Sequence, residues 1–206
     1  MIITERFNWL HIPKTAGSKT RTLLLTHAVG RTNNLLYNPA ENLGGSAMHT
    51  HIIPDEFNIN KRPTAMNFRR LNDLILSHNS FFLQSAFSGA GLKADLWERN
   101  KEHTLKGEIY DWLNISKNSY ITVDQAYKKF LTMKNVTYLR SEFLAQDICD
   151  WLQGLNIIID EDAILKDTGR INGNRFPQPN IVDRDLSTMY NNNPLWAKLE
   201  KELYGS

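Results

Sequence analysis

Residues 7–20 read FNWLHIPKTAGSKT, and this order predicts a buried strand, a tight polar turn and the start of a helix. Residues 7–12 are mostly apolar, as expected for a central strand of a parallel sheet. Pro13 ends the strand because it has no N–H for the ladder. Gly17 is expected to let the backbone turn sharply before the helix.

The N-terminus of the helix that follows is expected to bind an anion. Its first N–H groups have no partner within the helix, and the positive end of its dipole lies at the same place. Ser18 or Thr20 is expected to cap it. Lys14 and Lys19 add two positive charges. The sequence therefore predicts a phosphate or sulfate site in this loop.

The Walker A pattern, Gly-x-x-x-x-Gly-Lys-Ser/Thr, does not fit the loop. Ser18 separates Gly17 from Lys19, and Ile12 stands where the first glycine would be. The stretch instead resembles the 5′-phosphosulfate loop of sulfotransferases, in the form His-Ile-Pro-Lys-Thr-Ala/Gly-Gly-Thr-Ser. That form belongs to the carbohydrate sulfotransferases related to heparan sulfate 2-O-sulfotransferase. The segment from His11 to Gly17 fits it without a gap, whereas Lys19 replaces the usual Ser or Thr.

The resemblance implies that the loop binds 3′-phosphoadenosine-5′-phosphosulfate (PAPS), the donor of the sulfuryl group. Its cofactor-binding residues would be Lys14, Thr15, Ala16, Gly17, Ser18, Lys19 and Thr20. Lys14 would also act in catalysis, by neutralising charge on the bridging oxygen of the departing phosphate. No metal is expected, since the lysines and the helix dipole supply the positive charge.

A second motif follows the predicted strand 64–68. Arg69 leaves the end of that strand, and Ser77 lies eight residues later, about two helical turns on. The sulfotransferase 3′-phosphate motif, Arg-Asp-Pro-x-x-Arg-x-x-Ser-x-Tyr, has the same Arg-to-Ser spacing. Arg69 and Ser77 would thus hold the 3′-phosphate through a guanidinium fork and a hydroxyl. Arg70 and Leu74 depart from the family's Asp and second Arg, and a surface Arg with a helix Ser is the other interpretation.

Two histidines, His49 and His51, form a His-x-His pattern that places both imidazoles on one face of a strand. The pattern can be half of a metal site, but no third ligand stands at metal spacing. The sulfotransferases named above carry His-x-His between the same two motifs. The resemblance implies His51 as the base and His49 as its helper, because a neutral imidazole suits an alcohol proton. Hydrogen-bonded structural histidines are the alternative, and His11 is expected to be structural.

Two later segments complete the resemblance. Residues 137–147 resemble the Leu-Arg-x-Glu-x-Leu-x-x-Asp segment of the superfamily, and Arg140 and Glu142 are expected to shape the sheet edge, as an ion pair or in a purely structural role. Residues 166–175 resemble a late basic loop that closes the nucleotide. There Arg170 and Arg175 would pair with the 3′-phosphate, with a solvated loop as the alternative.

Strands alternate with helices along the chain, which predicts an α/β fold. The resemblance specifies a P-loop-like three-layer sandwich with a central parallel sheet flanked by helices, in one domain of residues 1–206. Predicted strands are 7–12, 48–53, 64–68 and 135–139. Predicted helices are 20–28, 71–87, 122–133, 142–152, 160–166, 184–190 and 194–204; residues 31–48 are expected to be loop, and 92–120 are left open. Ligands of such sheets bind beyond the carboxyl ends of the strands.

The amino-acid composition and net charge limit the classes of function that the chain can have. The 206 residues are 41% hydrophobic and 22% charged, with a net charge of +2, as in an ordinary globular domain without a nucleic-acid-binding charge excess. Cys149 is the only cysteine, so no internal disulfide can form. There is no signal-like N-terminus and no run of ~18 apolar residues. A cytoplasmic protein with no membrane partner is expected.

The motifs together predict a sulfotransferase that moves a sulfuryl group from PAPS to an alcohol hydroxyl by in-line displacement. The acceptor is expected to be a small molecule or a glycan. Two alternatives stay open. One is a P-loop-like nucleotide-dependent phosphotransferase, which would need Mg²⁺ held by an Asp. The other is a non-catalytic module that binds PAPS or a nucleotide.

Overall fold

The computed structural model describes residues 2–28, 35–37, 61–86, 94–111, 119–167 and 179–205. The chain divides into two compact units. Unit 1 comprises Met1–Phe68 and Lys134–Ile171, and unit 2 comprises Arg69–Met133 and Asn172–Ser206. The single domain of residues 1–206 stays a prediction. No helix in the described ranges has the length and apolar character to cross a membrane.

Strands and helices alternate, so the predicted α/β fold is confirmed. The strands are β1 (Ile2–Thr4), β2 (Asn8–Leu10), β3 (Leu35–Tyr37), β4 (Thr64–Phe68), β5 (Glu108–Tyr110), β6 (Tyr120–Thr122) and β7 (Val136–Arg140). The helices are α1 (Gly17–His27), α2 (Leu71–Ala86), α3 (Ala94–Leu105), α4 (Val123–Leu131), α5 (Leu144–Gly154), α6 (Glu161–Lys166), α7 (Asp183–Asn192) and α8 (Pro194–Tyr204). A 3₁₀ turn, Ser141–Phe143, precedes α5. The predicted strand 48–53 lies outside the described residues.

Unit 1 contains a five-stranded sheet in the order β3-β1-β2-β4-β7. β2, β4 and β7 are parallel neighbours, whereas β1 pairs antiparallel with both β2 and β3. The sheet is therefore mixed, and the expectation of a wholly parallel sheet is wrong at this edge. Two strands, β1 and β3, were not predicted. β1 forms because a tight turn folds the N-terminus back, with Thr4 Oγ1 accepting the N–H of Phe7 at 2.9 Å.

The parallel strands form the centre of unit 1. All five residues of β4 are buried, and three of them, Ala65, Met66 and Phe68, are apolar, as expected for a strand covered on both faces. Apolar residues of β2, β7, α1, α5 and α6, and of the turn before β2, pack into one core with it, among them Phe7, Trp9, Leu23, Leu24, Ala65, Leu139, Ile148, Trp151 and Ile164. Because β2, β4 and β7 run parallel, their carboxyl ends at Leu10, Phe68 and Arg140 share one edge.

Unit 2 contains the β5–β6 hairpin together with α2, α3, α4, α7 and α8. The capping box predicted at the start of α4 is confirmed, with Thr122 Oγ1 accepting the N–H of Gln125 at 3.2 Å. Asp124 of the same turn accepts the N–H groups of Leu195 (2.7 Å) and Trp196 (2.9 Å), and thereby caps α8. The segment left open by the sequence forms α3 and most of the hairpin.

Candidate functional site

The loop between β2 and α1 is strained at two positions. Lys14 and Ala16 both adopt positive φ, 64° and 65°, which costs a residue other than glycine roughly 1–2 kcal/mol each. Ala16 is the N-cap of α1 in the left-handed conformation, and Gly17 is already helical. The sharp turn expected at Gly17 therefore occurs at Lys14 and Ala16. Strain of this kind concentrates at binding and catalytic sites.

A chain of buried side chains holds the loop to the sheet. Trp9 Nε1 donates to Asn67 Oδ1 at 2.6 Å, and Asn67 Nδ2 donates to Thr20 Oγ1 at 2.7 Å. The Thr20 hydroxyl in turn donates to the carbonyl of Ala16 at 3.2 Å, and its N–H donates to the same carbonyl. Sequence reasoning missed Asn67, although an amide in an otherwise apolar strand is a signal, because buried amides need partners.

The start of α1 presents backbone donors. The first intrahelical bond runs from Thr20 N to Ala16 O, so the N–H groups of Gly17, Ser18 and Lys19 precede it. Within the described residues the N-cap makes no side-chain hydrogen bond and the first turn holds no acidic residue, so the expected capping by Ser18 or Thr20 is wrong. A left-handed residue followed by a right-handed one turns successive N–H groups toward one concavity, a nest that suits anions.

Glycine is needed at position 17 because there is no room for a side chain, and not because of its φ angle. A Cβ built on it would lie far closer than 3.0 Å to two atoms of the His11 imidazole, and real Cβ contacts essentially never fall below that distance. His11 is 8% exposed and stacks on Trp9, with ring centroids 5.6 Å apart. Thr15, also buried, donates its hydroxyl to the carbonyl of Ile12 at 2.7 Å. The loop is thus tightly packed against buried side chains at the end of the strand that precedes it.

Lys19 forms an ion pair with Asp167, the residue that ends α6. The Lys19 side chain is largely buried, whereas about a third of the Asp167 side chain is exposed. The positive charge that the sequence assigns to Lys19 is therefore balanced by a carboxylate of the protein itself. Asp167 was not predicted, because 148 residues separate it from Lys19.

At the end of β7, Arg140 forms an ion pair with Asp147; its pair with Glu142 stays a prediction. The guanidinium donates to both carboxylate oxygens, Nε to Oδ2 at 3.0 Å and the terminal nitrogen to Oδ1 at 2.7 Å. Asp147 also accepts the backbone N–H of Arg140 at 2.7 Å. This bidentate pair fixes the end of the strand, in line with the structural role that was left open for it.

The second predicted motif lies in unit 2. Arg69 directly follows β4, and its carbonyl accepts Trp196 Nε1 at 3.0 Å. Ser77 lies on α2 and is buried. A carboxylate caps this helix: Glu200 Oε2 accepts the N–H of Leu71 at 2.7 Å. The N–H at the start of α2 is thus already bound by a carboxylate of the protein. The proposed binding of a 3′-phosphate by the side chains of Arg69 and Ser77 stays a prediction.

Glu200 is held from a second side by Tyr190, whose hydroxyl donates to Oε1 at 2.8 Å. Burial, followed by this hydrogen bond, raises the pKa of Tyr190 well above its ordinary value. The phenol therefore remains a neutral donor at physiological pH, and Glu200 remains fixed at the start of α2.

Four predicted site residues, His49, His51, Arg170 and Arg175, lie outside the described residues. The structure brings together the residues of the loop with Trp9, Asn67 and Asp167. Comparison with protein-family models, with curated proteins and with solved structures found no match.

Proposed function

We propose that this protein is a PAPS-dependent sulfotransferase that transfers a sulfuryl group to an alcohol hydroxyl, most simply of a carbohydrate. One observation carries the proposal: the left-handed Ala16 followed by helical Gly17, at the uncapped start of α1 and beyond the carboxyl end of a central parallel strand. Ligands of such sheets bind at this edge. The family motif from His11 to Gly17 supplies the identity of the anion.

In the proposed reaction the acceptor oxygen attacks sulfur in line with the bond to the 5′-phosphate. An oxygen–sulfur bond forms to the acceptor, the sulfur–oxygen bond to the phosphate breaks, and 3′-phosphoadenosine-5′-phosphate leaves. The acceptor proton passes to His51, with His49 assisting. Backbone N–H groups of Gly17 and Ser18 and the ammonium of Lys14 act where negative charge develops.

Remaining roles follow the sequence motifs. Arg69, Ser77, Arg170 and Arg175 are proposed to bind the 3′-phosphate, which sets the choice of cofactor. The finer fold is proposed to be a P-loop-like three-layer sandwich, and the parallel core of β2, β4 and β7 supports this. Lys19 contributes less charge than the sequence implies, because Asp167 balances it.

Calorimetric titration with 3′-phosphoadenosine-5′-phosphate tests the cofactor site, with ATP and Mg²⁺ as the comparison. We expect metal-free binding that is weakened in Lys14→Ala. Lys134→Ala is the matched control, since Lys134 is an exposed lysine of the same unit that precedes β7, at the opposite end of that strand from its carboxyl edge. Binding of ATP alone, and only with Mg²⁺, would favour the phosphotransferase. Binding without turnover on a broad acceptor panel would favour the non-catalytic module.

Turnover measurements on variants distinguish the proposed roles of His49 and His51. Lys14→Ala is expected to lower turnover by more than ~100-fold, the loss typical of a preorganised electrostatic group. His51→Ala is expected to cost ~100-fold as a general base while cofactor binding is retained. If His49→Ala is the damaging change, the two roles are reversed.

A further inference from the structure

Unit 2 contains a cleft between α2 and α3 that the proposed function does not use. One stripe of each helix lines it, at the i, i+3, i+4 and i+7 positions that share a helix face. The polar members are Asn79 and Ser80 of α2 and Asn100, Lys101 and Thr104 of α3, with Trp97 beside them. The cleft volume of about 10 Å³ holds one group of the size of a hydroxyl or a water molecule.

The orientation of Asn79 in this cleft is fixed by its amide nitrogen. Nδ2 donates to Thr104 Oγ1 and to the carbonyl of Glu108, both at 2.8 Å. Thr104 in turn donates its hydroxyl to the carbonyl of Asn100 at 2.7 Å. Because carbonyls and hydroxyls surround the nitrogen, Oδ1 is the end that points away from them. Asn79 is 1% exposed, and Oδ1 has no hydrogen-bond partner among the described residues.

Ser80, the next residue of α2, also has a buried polar atom without a hydrogen-bond partner among the described residues. It is 4% exposed, and its hydroxyl makes no hydrogen bond within the part of the chain that the structure describes. Buried polar atoms are paired in most proteins, and one that is left without a partner destabilises the fold. Two such atoms on neighbouring residues of one cleft indicate that a partner binds there.

We infer that the cleft binds a neutral hydroxyl of a small polyol or sugar. Asn79 Oδ1 only accepts, whereas the Ser80 hydroxyl both donates and accepts, so each of them can pair with a hydroxyl of a neutral ligand. Lys101 lines the cleft and lies 3.9 Å from the carboxylate of Glu98, which is more exposed and is not part of the lining. Lys101 therefore disfavours a cationic amine, and the carbonyl oxygen of Asn79 disfavours an anion. Trp97 is partly buried and offers an apolar ring to the carbon atoms of the ligand.

This inference is independent of the sulfotransferase proposal. NMR titration of the full chain with glycerol and with glucose, up to about 100 mM because a single hydroxyl and one ring give weak affinity, follows the indole signal of Trp97. A saturable shift is expected. Ser80→Ala should weaken the affinity about tenfold through the lost hydrogen bond. Ser187→Ala is the matched control, since that exposed hydroxyl donates to the carbonyl of Asp183 on its own helix.

A shift that does not saturate, or an equal affinity in Ser80→Ala, would mean that the cleft holds water only, and the inference would be overturned. Lys101→Met gives a second test that does not depend on Ser80. The unmodified chain should prefer glucose to protonated glucosamine, and Lys101→Met should remove that preference. Equal preference in both proteins would contradict the charge argument.

Discussion

Gly17→Ala is the sharpest test of the loop, because two physical effects predict opposite signs. In an ordinary helix, alanine is more favourable than glycine by up to about 1 kcal/mol. Here the new Cβ would lie far below 3.0 Å from His11 Cδ2 and Nε2, and 3.0 Å from Cε1, whereas ordinary contact begins at 3.4 Å. The imidazole cannot retreat freely, because it is buried and stacked on Trp9.

The magnitude follows from how far the ring must move. A shift of more than about 1 Å in a packed site costs roughly 1–3 kcal/mol, and the helix preference for alanine offsets up to about 1 kcal/mol of it. The net loss of unfolding free energy therefore lies between about zero and 3 kcal/mol, with a central value of about 1–2 kcal/mol. For a chain of this size that corresponds to a fall in Tm of roughly 2–8 °C.

Urea denaturation measures the loss as a change in midpoint at constant slope. Gly154→Ala is the matched control: Gly154 is also helical and in unit 1, and no atom lies within 4 Å of its added Cβ. That variant should be neutral or slightly stabilised. In a His11→Ala background the ring is absent, so Gly17→Ala should cost nothing, a coupling of about 1–3 kcal/mol. An equal cost in both backgrounds would refute the close-packing argument.

Three further predictions concern neighbouring features. Asp167→Asn leaves Lys19 free to attract anions and should raise the affinity for 3′-phosphoadenosine-5′-phosphate roughly 3–10-fold at low salt; calorimetry with the exposed Asp162→Asn as control checks it, and an unchanged affinity would count against it. Ala16→Gly relieves a left-handed alanine and should leave stability unchanged or raise it by up to about 1 kcal/mol in urea denaturation; a clear loss would contradict the strain. Burial raises the pKa of the Cys149 thiol to about 11, so the folded protein should react with a disulfide reagent roughly 100-fold more slowly than the unfolded chain; similar rates would show an accessible thiol.

Local signals explain which elements the sequence predicted. The strand Thr64–Phe68 and the helix Pro194–Tyr204 have the predicted bounds, because an apolar run and a proline at the first helical turn act over a few residues. The capping box at Thr122 is equally local. β1 was missed because three residues carry no periodicity, and its pairing with β2 depends on the turn at Thr4.

For the candidate site, too, the sequence predicted some features and missed others. The order of loop residues from His11 to Thr20 predicted a strand, a turn and a helix with positive charge at its start. The backbone conformation did not follow, because glycine is the usual left-handed residue and here Lys14 and Ala16 take that role. The demand on Gly17 comes instead from the imidazole packed against it.

The sequence by itself determined the α/β class, the parallel core strands and the positive charge of the loop, since these depend on periodicity and residue type within short windows. Only the tertiary structure decided the partners: Asn67 for Thr20, Asp167 for Lys19 and Glu200 for the start of α2. The three pairs are separated by 47, 148 and 129 residues. No local pattern encodes such pairs, because each exists only once packing of the apolar core has brought the elements together.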